Sequence, residues 1–539
     1  MASAVDRSDI FSLLEPGEPQ WPRLLETSIT MGTGEPYAVD DIPIPFDNPW
    51  KALMFCGGHD FLPDGRALVC TIQGDVWLVD GFLEGGSTEK WKRFAAGLNH
   101  ALGLVVHEGA IYVLGRDQIT RLYDHNNDGE ADHYECFSNA YETSDAGHDF
   151  ICGLQRDQEG NFYTASGNQG LLKISADGAE VQVLANGFRN PDGLGLTPEG
   201  IVTVPCSEGE WTPASMICAV NAHSSLNGET EFFGYKNPKH KNLKVLKDGE
   251  PPSLPLVYLP RGLDNSAGGQ AYIDSDRWGP LQGEMLHFSY GTGSHFLLLR
   301  DEVEGQFQGA VVPLKGEFLS GAHRGRFNPA DGQLYVSGMG GWGNYTLQDG
   351  SFQRVRYTGK PVVLPKRFHA FQNGILIEFT EPIDPELAEQ TRSHFVQCWN
   401  YRYSAAYGSP EYSPSHFGTR GHDVLEIKSS HVLAQNKLLF LEIPELQPVN
   451  QLHLQMHVNE ATSAPEDGLS MFLTVHKLDE PFDKFPGYEP VEKTIAAHPI
   501  LLDLALSTKK EPNPWEQPVP NALRIELRTE RISRMKPAA

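Results

Sequence analysis

Gly153-Leu154-Gln155-Arg156-Asp157-Gln158-Glu159-Gly160, running into Phe162-Tyr163-Thr164-Ala165, is the stretch that decides how the chain is read. A short apolar run, a turn of Asp, Glu and Gly, and a second apolar run make a β-hairpin. Gly supplies the positive φ of the turn, and Asp bonds its own backbone. The same grammar returns in His59-Asp60-Phe61-Leu62-Pro63-Asp64-Gly65 before Ala67-Leu68-Val69-Cys70, and in Gly103-Leu104-Val105-Val106-His107-Glu108-Gly109 before Ile111-Tyr112-Val113-Leu114. It recurs in Gly193-Leu194-Gly195-Leu196-Thr197-Pro198-Glu199-Gly200 before Ile201-Val202-Thr203-Val204, and in Arg326-Phe327-Asn328-Pro329-Ala330-Asp331-Gly332 before Leu334-Tyr335-Val336. A degenerate sixth copy is Trp278-Gly279-Pro280-Leu281-Gln282-Gly283 before Glu284-Met285-Leu286-His287-Phe288. Hairpins recurring at roughly 40 to 60 residues are the sequence signature of propeller blades. A lone β-sandwich would not repeat one turn six times.

The expected fold class is therefore all-β, a six-bladed β-propeller over residues 51–358 followed by a small immunoglobulin-like β-sandwich over 359–477. After Gly359-Lys360-Pro361 the grammar changes to a hairpin at Phe368–Phe379, an acidic helix-like stretch through Ala388, and strands at Val424-Leu425-Glu426-Ile427 and Leu438–Ile443. Residues 1–50 read as a lead-in. Residues 478–539 read as an irregular, Pro-rich tail, with a short helix expected near Ile500–Ala505.

Composition narrows the partners. Lys+Arg number 43 against 70 Asp+Glu, a net charge of −27, and no basic cluster interrupts it. Such a surface repels nucleic acid and anionic membrane. No apolar run approaches the ~20 residues of a membrane span. The amino terminus has no apolar signal core, so the expected location is cytoplasmic, or periplasmic or secreted where a signal has been removed. Seven cysteines form no Cys-x-x-Cys pair and no haem-attachment motif. Cys70, Cys152, Cys206 and Cys218 lie in strand-like runs and read as buried thiols.

In a propeller the residue before each blade's first strand is expected at the mouth of the central channel. That position reads His59, His100, His148, Arg189, Asp264-Asn265-Ser266 and His323-Arg324. Two chemistries suit such a ring. His59, His100, His148 and His323 form a candidate site for a divalent transition metal. Alternatively, one histidine is a general base while arginines hold an anionic cofactor or developing charge. Asp124-His125-Asn126-Asn127-Asp128-Gly129-Glu130-Ala131-Asp132 sets oxygen side chains at alternate positions around a turn glycine, so Asp124, Asn126, Asp128, Glu130 and Asp132 are candidate calcium ligands. Glu135 stands at the twelfth place of that loop. Glu208, Glu210, Trp211 and Trp342 are candidate substrate contacts, since carboxylates beside a Trp ring suit a pyranose.

With these residues in view, the chain resembles the glucose/sorbosone dehydrogenase superfamily. The resemblance rests on His148-Asp149-Phe150 before Gly153-Leu154, on Gly187-Phe188-Arg189-Asn190-Pro191-Asp192-Gly193-Leu194, and on His323-Arg324-Gly325-Arg326-Phe327. Members of that superfamily are six-bladed propellers that oxidise sugars with pyrroloquinoline quinone (PQQ) and calcium. The resemblance implies His148 as catalytic base, Arg189 and Arg324 as catalytic and cofactor-binding residues, and Arg326 as a further cofactor-binding arginine. A longer similarity, over nearly the whole chain, is to the large propeller proteins of planctomycetes and verrucomicrobia, which often continue into a c-type cytochrome. It rests on Arg116–Leu122, the loop at 124–132, Trp211-Thr212-Pro213, Ser289-Tyr290-Gly291-Thr292-Gly293 and Trp399–Ser404. Where PQQ enzymes carry a lysine after the strand matching Ser289-Tyr290-Gly291, Thr292-Gly293-Ser294-His295 stands here, and no haem motif is present.

Three readings stay open at this level. The first is a PQQ-type sugar or alcohol dehydrogenase served by a partner cytochrome. The second is a transition-metal-dependent polysaccharide lyase or glycoside-cleaving enzyme built on the histidines. The third is a non-catalytic carbohydrate- or protein-binding propeller. All place a small saccharide or polysaccharide, or a partner, at the channel mouth.

Overall fold

The computed structural model describes residues 15–83, 88–144, 150–223, 230–236, 250–459, 468–490 and 492–500. Strand dominates their regular structure; helix is limited to the single α-turn Pro385–Ala388, capped by the Asp384 side chain, two short 3-10 turns, and Pro499-Ile500. Each hairpin expected from the turn grammar forms. Gly65, Gly109, Gly160, Gly200 and Gly332 all take positive φ at the turns between paired strands.

The hairpins assemble into antiparallel sheets in chain order. The first sheet orders Cys56–Phe61, Ala67–Thr71, Val76–Asp80 and Glu89–Ala95, with Leu25–Thr27 on its outer edge. The second orders Gly103–His107, Ala110–Leu114, Ile119–Tyr123 and His133–Ser138, and the third begins with Ile151–Arg156. The fourth begins with Gly195–Leu196, the fifth with Ala267–Tyr272 and the sixth with Gly321–Phe327. These first strands neighbour one another in turn, and Gly321–Phe327 returns to pack beside Cys56–Phe61. The result is a closed, all-β, propeller-like ring.

Small residues let the ring close. A Cβ on Gly153 would lie 2.9 Å from Gly193 Cα, and one on Gly193 would lie 2.8 Å from Gly269 Cα. Adjacent inner strands therefore touch backbone to backbone. Away from the axis, apolar faces interlock between neighbouring sheets. Phe61, Trp77, Trp91, Tyr335 and Phe352 fill the seam between the first and sixth sheets, all 5 % exposed or less.

The segment read as a lead-in does more than lead in. Tyr37–Asp41 is the outer strand of the sixth sheet, pairing with Gly350–Tyr357, so the chain's beginning and the end of the ring share one sheet. Asp40, fully buried, fastens that strand: it accepts from Arg354 Nε and Arg356 Nε, both at 2.9 Å, and from Gly32 N at 2.9 Å. Charges this deep persist because each is paired and hydrogen-bonded.

Downstream, Pro365–Phe371, Gly374–Phe379, Leu438–Glu442 and Ser429–Leu433 form a separate sheet. Four further strands extend the fifth sheet. Leu469–Val475 pairs with Gln306–Pro313, and Val449–Met456, His394–Trp399 and Asp423–Val424 follow. One continuous core runs through both regions, from Leu297 and Val312 to Ile377, Leu441 and Leu473. The short helix expected near Ile500–Ala505 falls, beyond Ile500, outside the described residues.

Candidate functional site

Three levels can be followed down the ring axis. At one end Leu102, Cys152 and Asp192 line a cavity of about 350 Å³. One or two residues further along the same strands, Gly103, Gly153 and Leu194 line a waist whose void is only about 10 Å³, marginal even for one water. Beyond it Val105, Arg156 and Leu196 open onto a wider cavity at the opposite end.

Arg189 is the cation of the first cavity. It sits in a tight turn in which Gly187, Asn190 and Gly193 all take positive φ. Its Nη1 donates to the Glu208 carbonyl at 2.8 Å and its Nε to Glu210 Oε2 at 3.3 Å. Gly209 makes room for this: a Cβ there would fall 1.9 Å from Arg189 Nε. Glu208 also lines the cavity, and Arg261 neutralises it through Nε at 2.6 Å and Nη2. Asp192 lies 3.3 Å from His323 Nδ1 and accepts from Arg324 Nη2 at 3.2 Å. Burial pushes the Asp192 carboxyl up, but His323 and Arg324 outweigh it and hold it down at about 2.

The remaining lining is neutral. Asn190, Asn265, Ser266 and Asn344 bring amide and hydroxyl groups, and Phe150, Tyr290, Trp342 and Tyr407 bring rings. Asp264, beneath them, accepts from Ser266 N, Ser289 Oγ and His287 Nε2 at 3.0, 2.7 and 2.6 Å, which fixes the Asn265-Ser266 turn. Ser207 Oγ and Tyr290 Oη are buried and have no hydrogen-bond partner among the described residues. Burial pushes the Tyr290 phenol far above its ordinary value, so it stands as a neutral donor. Tyr407 comes from the downstream region. Its segment is tied to the mouth by Trp211 N to Ser404 O at 2.9 Å, Gly408 N to Gly209 O at 3.1 Å and Ser409 N to Pro213 O at 2.8 Å. The Arg189 guanidinium lies 5.1 Å from the Tyr407 ring centre.

Several residues expected at the mouth stand elsewhere. His59 and His323 lie inside the strands Cys56–Phe61 and Gly321–Phe327 and, with Arg324 and Arg326, line the waist. His59 Nδ1 meets Ser337 Oγ at 2.8 Å, and burial drives its ring far below the ordinary histidine value. His323 Nε2 donates to the Cys56 carbonyl at 2.8 Å. Arg324 is held by Asp192 and the Leu102 carbonyl, and Arg326 by Gln155 Oε1 at 2.5 Å and the Leu154 carbonyl at 2.6 Å. The inner strands begin earlier than the pattern suggested, which carries these side chains inward. His100 lies near the mouth, lining a neighbouring cavity. His148 lies outside the described residues. Among the described residues no three His, Cys, Asp or Glu side chains gather closely enough to share an ion.

The Asp/Asn-rich loop is likewise self-contained. Asp124 accepts from Asp128 N and Gly129 N, Asp128 from Glu130 N, and Asp132 from His125 N. Glu130 accepts from Gln20 N and Trp21 N at 2.8 and 2.9 Å, and Lys92 Nζ donates to the Asp128 carbonyl. These oxygens face amides, and an ammonium group stands beside them. Glu210 and Trp211 border the site: Glu210 reaches Arg189, while Trp211 packs against Tyr403. Trp342, 70 % exposed, stands at the mouth beside Phe150. All described cysteines are free, and all but Cys136 are buried.

PQQ carries three carboxylates, and the described lining does not fit it. Of the three arginines assigned to it by resemblance only Arg189 faces the cavity, and it is already matched by Glu210; Asp192 and Glu208 are taken up by Arg324 and Arg261, and no lysine is among the described lining residues. Polar atoms that remain open are hydroxyls and amides.

Comparison with known proteins adds the following. A family model described as a domain of unknown function (DUF7133) matches residues 72–192. No curated protein matches. Among solved structures, a Thermus thermophilus protein named as an oxidoreductase (glucose dehydrogenase) is 17% identical, with TM-score 0.44 over 59% of this chain and 99% of its own. The PQQ-bound aldose sugar dehydrogenase of Streptomyces coelicolor is 13% identical, with TM-score 0.39 over 64% and 99%. The PQQ domain of pyranose dehydrogenase from Coprinopsis cinerea is 12% identical, with TM-score 0.42 over 63% and 98%. Among the described residues no helix is long and apolar enough to cross a membrane.

Proposed function

We propose that this chain is a six-bladed propeller, residues 51–358, with an immunoglobulin-like unit on 359–477, and that it binds and oxidises a saccharide at the mouth cavity. The observation that carries the reading is the pair of buried, unpartnered hydroxyls, Ser207 Oγ and Tyr290 Oη, in a cavity whose lining also brings amides, rings and the paired charges of Arg189, Asp192 and Glu208. A buried hydroxyl without a partner costs about 1–3 kcal/mol, and a polyol would supply the missing partners. Ring faces at Trp342 and Phe150 suit the C–H face of a pyranose. The charges around the cavity are matched among themselves, which favours a neutral ligand over an anionic one.

Within this reading Arg189 orients a sugar oxygen and Asp192 holds the floor. His148, two positions before Phe150 in the chain, takes the hydroxyl proton while the hydride on the same carbon passes to a diffusible two-electron acceptor of the quinone class that enters with the sugar. The test has two stages. Calorimetric titration with a panel of neutral sugars is expected to find binding that Ser207→Ala/Tyr290→Phe weakens about tenfold, from the loss of two hydrogen bonds. Sugar-dependent reduction of a dye acceptor is then expected in the wild type and absent in His148→Ala, with binding kept. Failure of every sugar to bind would end the proposal; binding with no turnover would leave a carbohydrate-binding propeller.

A further inference from the structure

A second cavity of about 640 Å³ opens beside the first. Ile72, Phe150, Met339 and Trp342 line both, so the two share a wall. Beyond that wall the second cavity has an apolar floor of Phe55 and Leu98, with Gln73, Asn99 and His100 along its edge. Flat apolar surface edged by amides is what a pyranose needs: C–H groups on the rings, hydroxyls on the amides. Together the cavities exceed what one sugar unit fills and lie within the range of sites for larger ligands.

Two independent features mark this neighbouring cavity as built rather than incidental. His100 and Trp342 both hold left-handed backbone, φ 50 and 45, which bulky side chains rarely adopt and which gathers at ligand sites. His100 Nδ1 is buried with no partner among the described residues, while its ring stacks toward Phe150 at 6.1 Å. The rim is aromatic as well. Trp342, which lines both cavities, is 70% exposed, and Tyr407, which lines the first, is 64% exposed.

Resting on the saccharide reading above, we infer that the two cavities are consecutive subsites for an oligosaccharide. The end unit sits in the Arg189 cavity, the next unit in the Phe55–Leu98 cavity, and Trp342 stands between them. The substrate class is thus a chain of at least two neutral sugars.

The test is calorimetric titration of the full chain with mono-, di- and trisaccharides of glucose, galactose, mannose and xylose. In at least one series the disaccharide is expected to bind about tenfold or more tighter than the monosaccharide. Gln73→Ala/Asn99→Ala alters two exposed side chains and is expected to return the disaccharide to the monosaccharide's affinity. Equal affinity at every chain length overturns the inference and leaves the saccharide reading standing. A chain-length gain that survives the double variant overturns the placement of the second subsite. No binding in any series overturns both.

Discussion

Replacing Asp192 with Asn keeps the shape of the cavity floor and removes its charge. The carboxylate is 13% exposed and lies against His323 and Arg324, whose side chains are buried at the ring's waist. Burial pushes Asp192 up, and its two partners more than reverse that, to about 2 from 3.8. At 1.36 kcal/mol per unit the shift makes the ionised group worth about 2.5 kcal/mol at neutral pH. The folded value lies below the unfolded one, so this contribution is complete above about pH 4 and fades as pH falls through 2. The substitution also leaves the Arg324 guanidinium without its carboxylate, though still bonded to the Leu102, Asp192 and His323 carbonyls, which brings the expected loss at pH 7 to about 3 kcal/mol. Urea unfolding followed by fluorescence of the buried Trp77 and Trp91 would report it. The Asp192→Asn midpoint is expected well below wild type at pH 7, with the gap narrowing at pH 3. Coincident midpoints at pH 7, or a gap that does not change with pH, would refute the reasoning.

Two other expectations follow from local geometry. His369 lies between Asp301 at 2.6 Å and Asp479 at 3.0 Å, and these hydrogen bonds raise it to about 9 against 6.5. Its contribution is full below pH 6.5 and lost as pH rises through 9, so thermal melts should show a drop between pH 7 and 10 that His369→Gln abolishes; an unchanged drop in the variant would discard the assignment. For the loop at 124–132, chelation with EDTA is expected to leave the melting temperature where it was, whereas Glu130→Ala lowers it by freeing residues 20–21. A fall on chelation that calcium reverses would place an ion there and refute this expectation.

Turn chemistry made the all-β architecture readable from the chain. Gly65, Gly160, Gly200 and Gly332 occupy conformations that other residues avoid, and a hairpin turn leaves a local mark in sequence. The turn at Gly187–Gly193 was legible for the same reason, and it delivers Arg189 to the cavity. Strand register was not. His59 and His323 lie within their strands rather than before them, and a shift of one or two residues along a strand changes both the face and the depth of a side chain. The Asp/Asn loop leaves two readings in sequence because the same oxygens satisfy either a cation or their own backbone amides, and Lys92 and residues 20–21, which stand beside them, come from distant parts of the chain. Tyr290 and Ser207 left no sequence signal as unpartnered hydroxyls, since what defines them is the absence of neighbours drawn from distant parts of the chain. Tyr407 was invisible for a related reason: its partner, Arg189, is more than two hundred positions away.

That last contact has a consequence for how the molecule can diversify. Gly408 sits where any side chain would collide with Glu208, and the segment around it is stitched to residues 209–213. One wall of the mouth cavity is therefore supplied from outside the ring. Exchange of the segment between His394–Trp399 and Asp423–Val424 for one of different length or aromatic content would reshape the opening over Arg189 while leaving every ring strand untouched. A lineage, or an engineer, can change the shape of the mouth there without endangering the closure that keeps the ring folded.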